Sequence, residues 1–238
     1  MNSKMTKSTI ELPLMPAVPS APVAENRMLP AGMGSLKVLV ACEESQEVTK
    51  AFRLLGHETY SCDLQDCSGG HPEWHIKGNV IHQLYNDWDL IVAHPPCDRL
   101  ANSGVRWLEE RQLWDEMYAG CEFFNIFQSL GKQGMKVAIE NPIQHKHARE
   151  YIEKYHQIIQ PWQYGHEEMK ATCIWTYNLP ALKPTNIVGP PPKDKKEREK
   201  WQKVHRCPPG EDRSRIRSKT YPGIAAAMAM QWGGNACR

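Results

Sequence analysis

Three short apolar runs that each stop at polar or proline-rich sequence do most to limit the folds open to this chain. Residues 36–41 (Leu36, Lys37, Val38, Leu39, Val40, Ala41) run into Cys42-Glu43-Glu44-Ser45. Residues 88–93 run into His94-Pro95-Pro96-Cys97, and residues 135–139 into Glu140-Asn141-Pro142. Runs of this length bounded by turn formers read as strands buried on both faces, the pattern of a parallel sheet. Helical spacing lies between them. Val48, Ala51, Phe52 and Leu55 share a face after Ser45, a residue suited to cap a helix, and Gly56 ends the segment. Residues 59–62 form a second strand that closes on Asp63. A further strand is expected over 74–80, followed by a short helix. Helices are expected over 106–130, 146–155 and 222–232, and β-like runs over 156–163 and 171–176. Strands alternating with helices predict an α/β fold, a mostly parallel sheet with helices on both faces.

The chain has 238 residues, enough for one domain, expected over 36–232. Residues 1–35, rich in Pro, Ala, Met and Ser, read as a disordered tail, and 233–238 as a flexible end. With 41% hydrophobic and 24% charged residues the chain can build a core. No apolar run approaches the ~20 residues of a membrane helix, which argues against a membrane protein. Eight cysteines without a secretory signal are expected to be reduced thiols in a cytoplasmic protein. Cys62, Cys67, His71 and His75 have no C-x-x-C pair among them and sit in a Gly/Pro-rich loop, so no metal site is expected there. Charge is unevenly spread. Residues 193–219 hold eleven Lys/Arg against five Asp/Glu, a net of +6, and the rest of the chain is −4. A basic insert over 177–220 suits a polyanion, or forms a solvated charged loop.

In open α/β sheets ligands bind at the carboxyl ends of the strands. The sequence brings to that edge the 42–45 loop, Asp63, Asn79, the 94–97 loop and Glu140-Asn141-Pro142. Each alone has a plain structural reading: Asp63 as a solvated strand end, Cys97 as a small buried hydrophobe, Glu140 as a helix cap. Their joint occurrence on successive strand ends points to a site.

Residues 89–104, a hydrophobic strand leading into Pro95-Pro96-Cys97 and on to Ser103-Gly104, resemble the nucleophile motif of DNA (cytosine-5) methyltransferases. Glu140-Asn141-Pro142 is similar to that family's Glu-Asn-Val motif. From about residue 37 to 232 the chain resembles the small methylase-like proteins of phages and prophages. The resemblance implies a Rossmann-like class I methyltransferase fold, S-adenosylmethionine as cofactor and DNA as partner, with self-modification against restriction as the role. It implies a Cys97 thiolate that adds to cytosine carbon-6, so that carbon-5 can attack an electrophilic methyl group. Glu140 would hold ring nitrogen-3, Asn141 would orient the base or the Cys97 loop, and Lys170 would stand in for an arginine. Cofactor contacts are implied for Cys42, Glu43, Glu44, Ser45, Asp63, Asn79 and Pro95. Nucleic-acid contacts are implied for Arg99, Ser103, Arg213, Arg215 and Arg217.

The chain departs from the family in three places. Its 41–46 loop lacks the family's glycines, so the cofactor must be held differently or not at all. Glu43 and Glu44 there could meet the cofactor's ammonium or simply favour a helix N-terminus. Asn79 replaces an acid, though its carbonyl can still accept a bond. The Gln-x-Arg-x-Arg motif is missing; Lys170 and Thr172, or Arg213, Arg215 and Arg217, would take its place. The short basic insert predicts low sequence specificity or a separate recognition partner, and the protein is expected to be a monomer. A non-catalytic nucleic-acid-binding descendant, or an enzyme with another acceptor, are the alternative readings.

Overall fold

The computed structural model describes residues 34–210 and 212–234. All but the last two residues of the expected tail, and the C-terminal end beyond Gly234, lie outside the described residues. The strands are β1 (Lys37–Ala41), β2 (Glu58–Asp63), β3 (His75–Lys77), β4 (Leu90–Ala93), β5 (Val137–Pro142), β6 (Gln157–Ile159) and β7 (Thr172–Tyr177). The helices are α1 (Glu47–Leu54), α2 (Arg106–Glu110), α3 (Trp114–Lys132), α4 (Lys195–Lys200), α5 (Arg213–Ser218) and α6 (Pro222–Met228), the last continued by a π-turn over Ala229–Gly233. Among the described residues no helix is long and apolar enough to cross a membrane.

The strands form one seven-stranded sheet in the order β3-β2-β1-β4-β5-β7-β6. β1 to β5 pair in parallel, and β7 runs antiparallel to both β5 and β6. Successive side chains of β1 and β4 point to opposite faces, as strand geometry requires. Val38, Val40, Leu90 and Val92 meet Val48 and Phe52 of α1 and Ile224, Ala225 and Met228 of α6. Leu39, Ala41, Ile91 and Ala93 meet Met117, Cys121, Phe124 and Phe127 of α3. The result is an α/β fold with helices on both faces of a mostly parallel sheet. Each fully buried Val, Leu or Phe in these layers contributes about 1.5–3 kcal/mol.

Several expected boundaries shift. The expected 106–130 helix is two, α2 and α3. Gln112 takes a left-handed φ of 52°, and α2 ends as Gln112 N donates to Glu109 O at 3.4 Å and Leu113 N to Leu108 O at 3.0 Å. That is the Schellman pattern, usually marked by glycine, so a glutamine hides it. The expected 146–155 helix contracts to one 3-10 turn, Ala148–Glu150. The 156–163 run is strand only over Gln157–Ile159 before a 3-10 turn at Pro161–Gln163. The 74–80 strand is extended only over His75–Lys77. Ser45 does not cap α1: the helix starts at Glu47, and a buried glutamate serves its free amides instead.

Candidate active site

β1 and β4 are neighbours, yet the chain leaves β1 toward β2 and β3 before returning to β4. The strand order therefore reverses at the β1/β4 boundary, where doubly wound sheets bind ligands. The register pairs Ala41 with Ala93, and Ala93 with Ile139. The residues that follow β1 and β4 therefore emerge beside Glu140, Asn141 and Pro142, the last three residues of β5.

After β4, His94 N still donates to Ala41 O at 2.9 Å, and then Pro95 and Pro96, which lack N–H groups, end the ladder. Cys97 is half-buried, and its carbonyl accepts from Leu100 N at 3.0 Å and Ala101 N at 2.8 Å. The loop is tied to the end of β5 and to the segment after it. Asn141, 1% exposed, donates from Nδ2 to Pro95 O at 2.8 Å. His145 Nε2 bonds to Arg99 O at 2.8 Å, and His145 N donates to Leu100 O at 3.0 Å. A Cβ on Gly104 would lie 2.2 Å from Asp98 O, so only glycine fits the close of this loop. The thiol thus rides a stiff loop cross-braced to β5.

Glu140, Lys170 and Asp98 act on the Cys97 thiol, and His94 pairs with Glu140. His94 Nδ1 lies 2.9 Å from Glu140 Oε2, with both side chains nearly buried. Burial opposes charge on the imidazole, but the hydrogen bond and charge of Glu140, with Glu43 behind, raise its pKa. Burial pushes the Glu140 carboxyl up, but His94, Lys170 and Thr172 outweigh it and hold the carboxyl below its usual value. Burial and then the Glu140 charge raise the Cys97 thiol, while Lys170 pulls it down. Lys170 Nζ is held by Arg217 O at 2.8 Å. The fold therefore brings together Cys97, Glu140, Asn141 and Lys170, and adds His94, which the sequence reading passed over. The signal was present: His94 is the one titratable residue between an apolar strand and Pro95-Pro96.

The 42–46 loop contains no glycine. Cys42 and Gln46 adopt left-handed φ values of 59° and 57°, conformations that cost a non-glycine residue roughly 1–2 kcal/mol. A glycine from another loop packs against this one. A Cβ on Gly69 would sit 2.4 Å from Gln46 Cβ and 2.6 Å from Ser45 O, and Ser68 N donates to Glu44 O at 2.8 Å. Ser45 is buried beneath this contact. Burial pushes the Cys42 thiol up, with Asp63 adding to it, so Cys42 packs as a thiol.

Glu43 is 4% exposed and caps α1. Its carboxylate accepts from Val48 N at 2.6 Å, Thr49 N at 3.1 Å and Thr49 Oγ1 at 2.8 Å. Burial raises its pKa, while His94 and these donors pull the other way. Glu44 Oε1 is buried without a protein partner, an orphaned acceptor that fits an ammonium. Asp63, at the tip of β2, accepts from Gln65 N at 2.9 Å through Oδ1. Asn79 Oδ1 accepts from Ile81 N at 3.0 Å, so its carbonyl starts a 3-10 turn. Pro95 contributes its carbonyl to Asn141.

The expected nucleic-acid residues do not form one array. Arg99 pairs with Asp98 at 2.8 Å and Glu116 at 2.7 Å, and Ser103 is exposed. The alternation of Arg213, Arg215 and Arg217 lies on helix α5, not on a strand, so Arg213 and Arg217 share a side and Arg215 points away. Arg215 pairs with Asp212 at 2.8 Å. A second basic feature went unread. Trp107 of α2, close beyond the Cys97 loop, is flanked by the guanidinium groups of Arg106 and Arg111 at 4.2 and 4.1 Å. Among the described residues no group of three or more His, Cys, Asp or Glu side chains is arranged to hold a metal ion. His75 instead bonds to Ser61 Oγ and Gln65 O, and His71 stacks on Trp74 at 3.8 Å.

No protein-family model matches the chain, and no curated protein matches its sequence.

Proposed function

We propose that the chain is an S-adenosylmethionine-dependent methyltransferase acting on carbon-5 of cytosine in DNA, on a Rossmann-like scaffold. One observation carries the reading: Cys97 follows β4 while Glu140 lies near the end of the adjacent parallel strand β5, beside the switch point, and Asn141 of β5 braces the Cys97 loop. Cys97 would bond to carbon-6 while Glu140 holds nitrogen-3. A base in duplex DNA would have to leave the stack to reach them. The cofactor's chemistry is an electrophilic methyl group on a sulfonium. Glu44, through its orphaned oxygen, and Asp63, at the β2 tip, would hold its ammonium and its ribose hydroxyls. Glu43 already takes the first α1 amides, the donors on which dinucleotide folds seat a pyrophosphate. Lys170 would keep the site near neutral. Basic α5 and Trp107 with its arginines would grip phosphate and base faces. DNA self-modification in a phage or prophage is the role this proposal carries.

One observation favours a second reading, a non-catalytic nucleic-acid-binding descendant: Glu43 and Asn79 are both engaged within the chain. Isothermal titration with S-adenosylmethionine separates the two. Binding supports the enzyme; no heat at millimolar ligand, with DNA binding retained, leaves the descendant. DNA carrying 5-fluorocytosine should then trap a covalent adduct at Cys97.

A further inference from the structure

Glu140 must present a proton to cytosine nitrogen-3, yet its surroundings hold it as a carboxylate. His94 Nδ1 bonds to Glu140 Oε2 at 2.9 Å, and His94 Nε2 is buried with no partner. The groups that act on the ring come from each element around it: Glu140 on β5, Glu43 in the loop after β1, and Lys170 before β7. Cys97 shares Glu140 and Lys170 with it. The imidazole touches one acid, Glu140, so a proton on Nδ1 lies on the bond between them, while Glu43, whose own pKa burial raises, stands behind.

We propose that His94 is a positioning residue that stores the proton Glu140 delivers to the base. This inference rests on the methyltransferase reading of the same site. When the base enters, the Nδ1–H bond of the imidazolium breaks and an O–H bond forms at Glu140 Oε2, leaving both groups neutral. The carboxyl passes that proton to nitrogen-3 as the Cys97 thiolate bonds carbon-6, the carbon-5/carbon-6 π pair becomes a carbon-4/carbon-5 bond, and the carbon-4/nitrogen-3 π pair moves onto nitrogen-3 to take the proton. Cys97 has by then lost its own proton to water. On collapse of the adduct the proton returns to Glu140 and then to His94. The relay itself consumes no proton; a productive turnover also consumes the sulfonium methyl donor and releases the carbon-5 proton to water before the thiolate leaves.

Two measurements on the full chain test this. The first is an NMR titration of labelled histidine. The His94 ring should titrate above the free-histidine value, and Glu140→Gln should move that titration down. An unmoved titration overturns the pairing. The second is the pH profile of adduct formation with DNA carrying 5-fluorocytosine, in the presence of S-adenosylmethionine. Wild type should lose rate as pH rises through the His94 titration. His94→Gln, which keeps a donor but stores no proton, should be slower by about 100-fold or more and lack that limb. Imidazole added to His94→Ala should restore part of the rate. Wild-type rate and profile in folded His94→Gln overturn the relay and leave the methyltransferase reading standing. No adduct in wild type at any pH, with the NMR shift present, overturns that reading and the relay with it, while the ion pair stands. If His94→Gln fails to fold, imidazole rescue and the Glu140→Gln titration decide.

Discussion

Glu43 offers the sharpest test of how the 42–46 loop is built. Substituting Glu43→Ala removes the acceptor for Val48 N, Thr49 N and Thr49 Oγ1. Val48 and Thr49 are both 0% exposed, so water has no ready path to the two amides. A buried donor left without a partner costs about 1–3 kcal/mol, and loss of a helix N-cap alone costs about 0.5–2 kcal/mol. The two descriptions overlap, since the cap is these bonds. With partial relaxation we expect about 2–4 kcal/mol. Glu43→Gln keeps one carbonyl oxygen in place and should recover about half. Urea denaturation followed by tryptophan fluorescence reads the midpoint at unchanged slope. In a domain of this size the alanine variant should also melt roughly 4–16 °C lower. A loss under about 0.5 kcal/mol in Glu43→Ala would refute the capping role and return the carboxylate to the ligand side. If Glu43→Gln is stable but no longer binds S-adenosylmethionine in the titration above, Glu43 serves the cofactor as well.

Glu140→Gln removes the charge that raises the Cys97 thiol. Alkylation of Cys97 by iodoacetamide at pH 8 should speed up in that variant and slow in Lys170→Met; the opposite order would show that neither group faces the sulfur. Asn141→Ala leaves the Pro95 carbonyl without its donor and should cost about 1–3 kcal/mol. It should also raise the exposure of Cys97 to a bulky thiol reagent, and an unchanged labelling rate would mean the brace does not hold the loop. The His94–Glu140 pair gives a signed pH dependence. The raised His94 pKa means its contribution is full below the unfolded value of about 6.5 and is lost as pH rises through the folded value. The lowered Glu140 pKa means its contribution is present above about pH 4.3 and is lost as pH falls through the folded value. Wild type should therefore gain most over His94→Gln between about pH 5 and 6.5, and urea midpoints that differ by a constant from pH 4 to 9 would contradict this. Neutralising Arg213, Arg215 and Arg217 should lower the salt slope of DNA binding by about 0.9 for each arginine on a phosphate. The helix predicts that Arg215 contributes separately from the other two, which single variants will read.

The amino-acid sequence alone determined the central sheet. The runs at β1, β4 and β5 are apolar on both faces, short and bounded by turn formers, the pattern of strands buried in a parallel sheet. Because strands in such a sheet emit their loops at one edge, the same runs also placed Cys97 beside Glu140 and Asn141. Three things were decided only by tertiary structure. The breaks in the helices fell at Gln112 and around Ala148, where long-range packing and a glutamine in the left-handed region replaced the usual glycine and proline signals. The backbone space over the 42–46 loop came from Gly69, more than twenty residues downstream, so no local motif carried it. The partners of buried charges were the third. Glu43 turned inward to α1, and His94 met Glu140 across 46 residues of sequence. A strand's apolar pattern records how deeply it is buried, which is a local property. Which charge neutralises which in a low-dielectric interior depends on distances that exist only after the sheet has assembled.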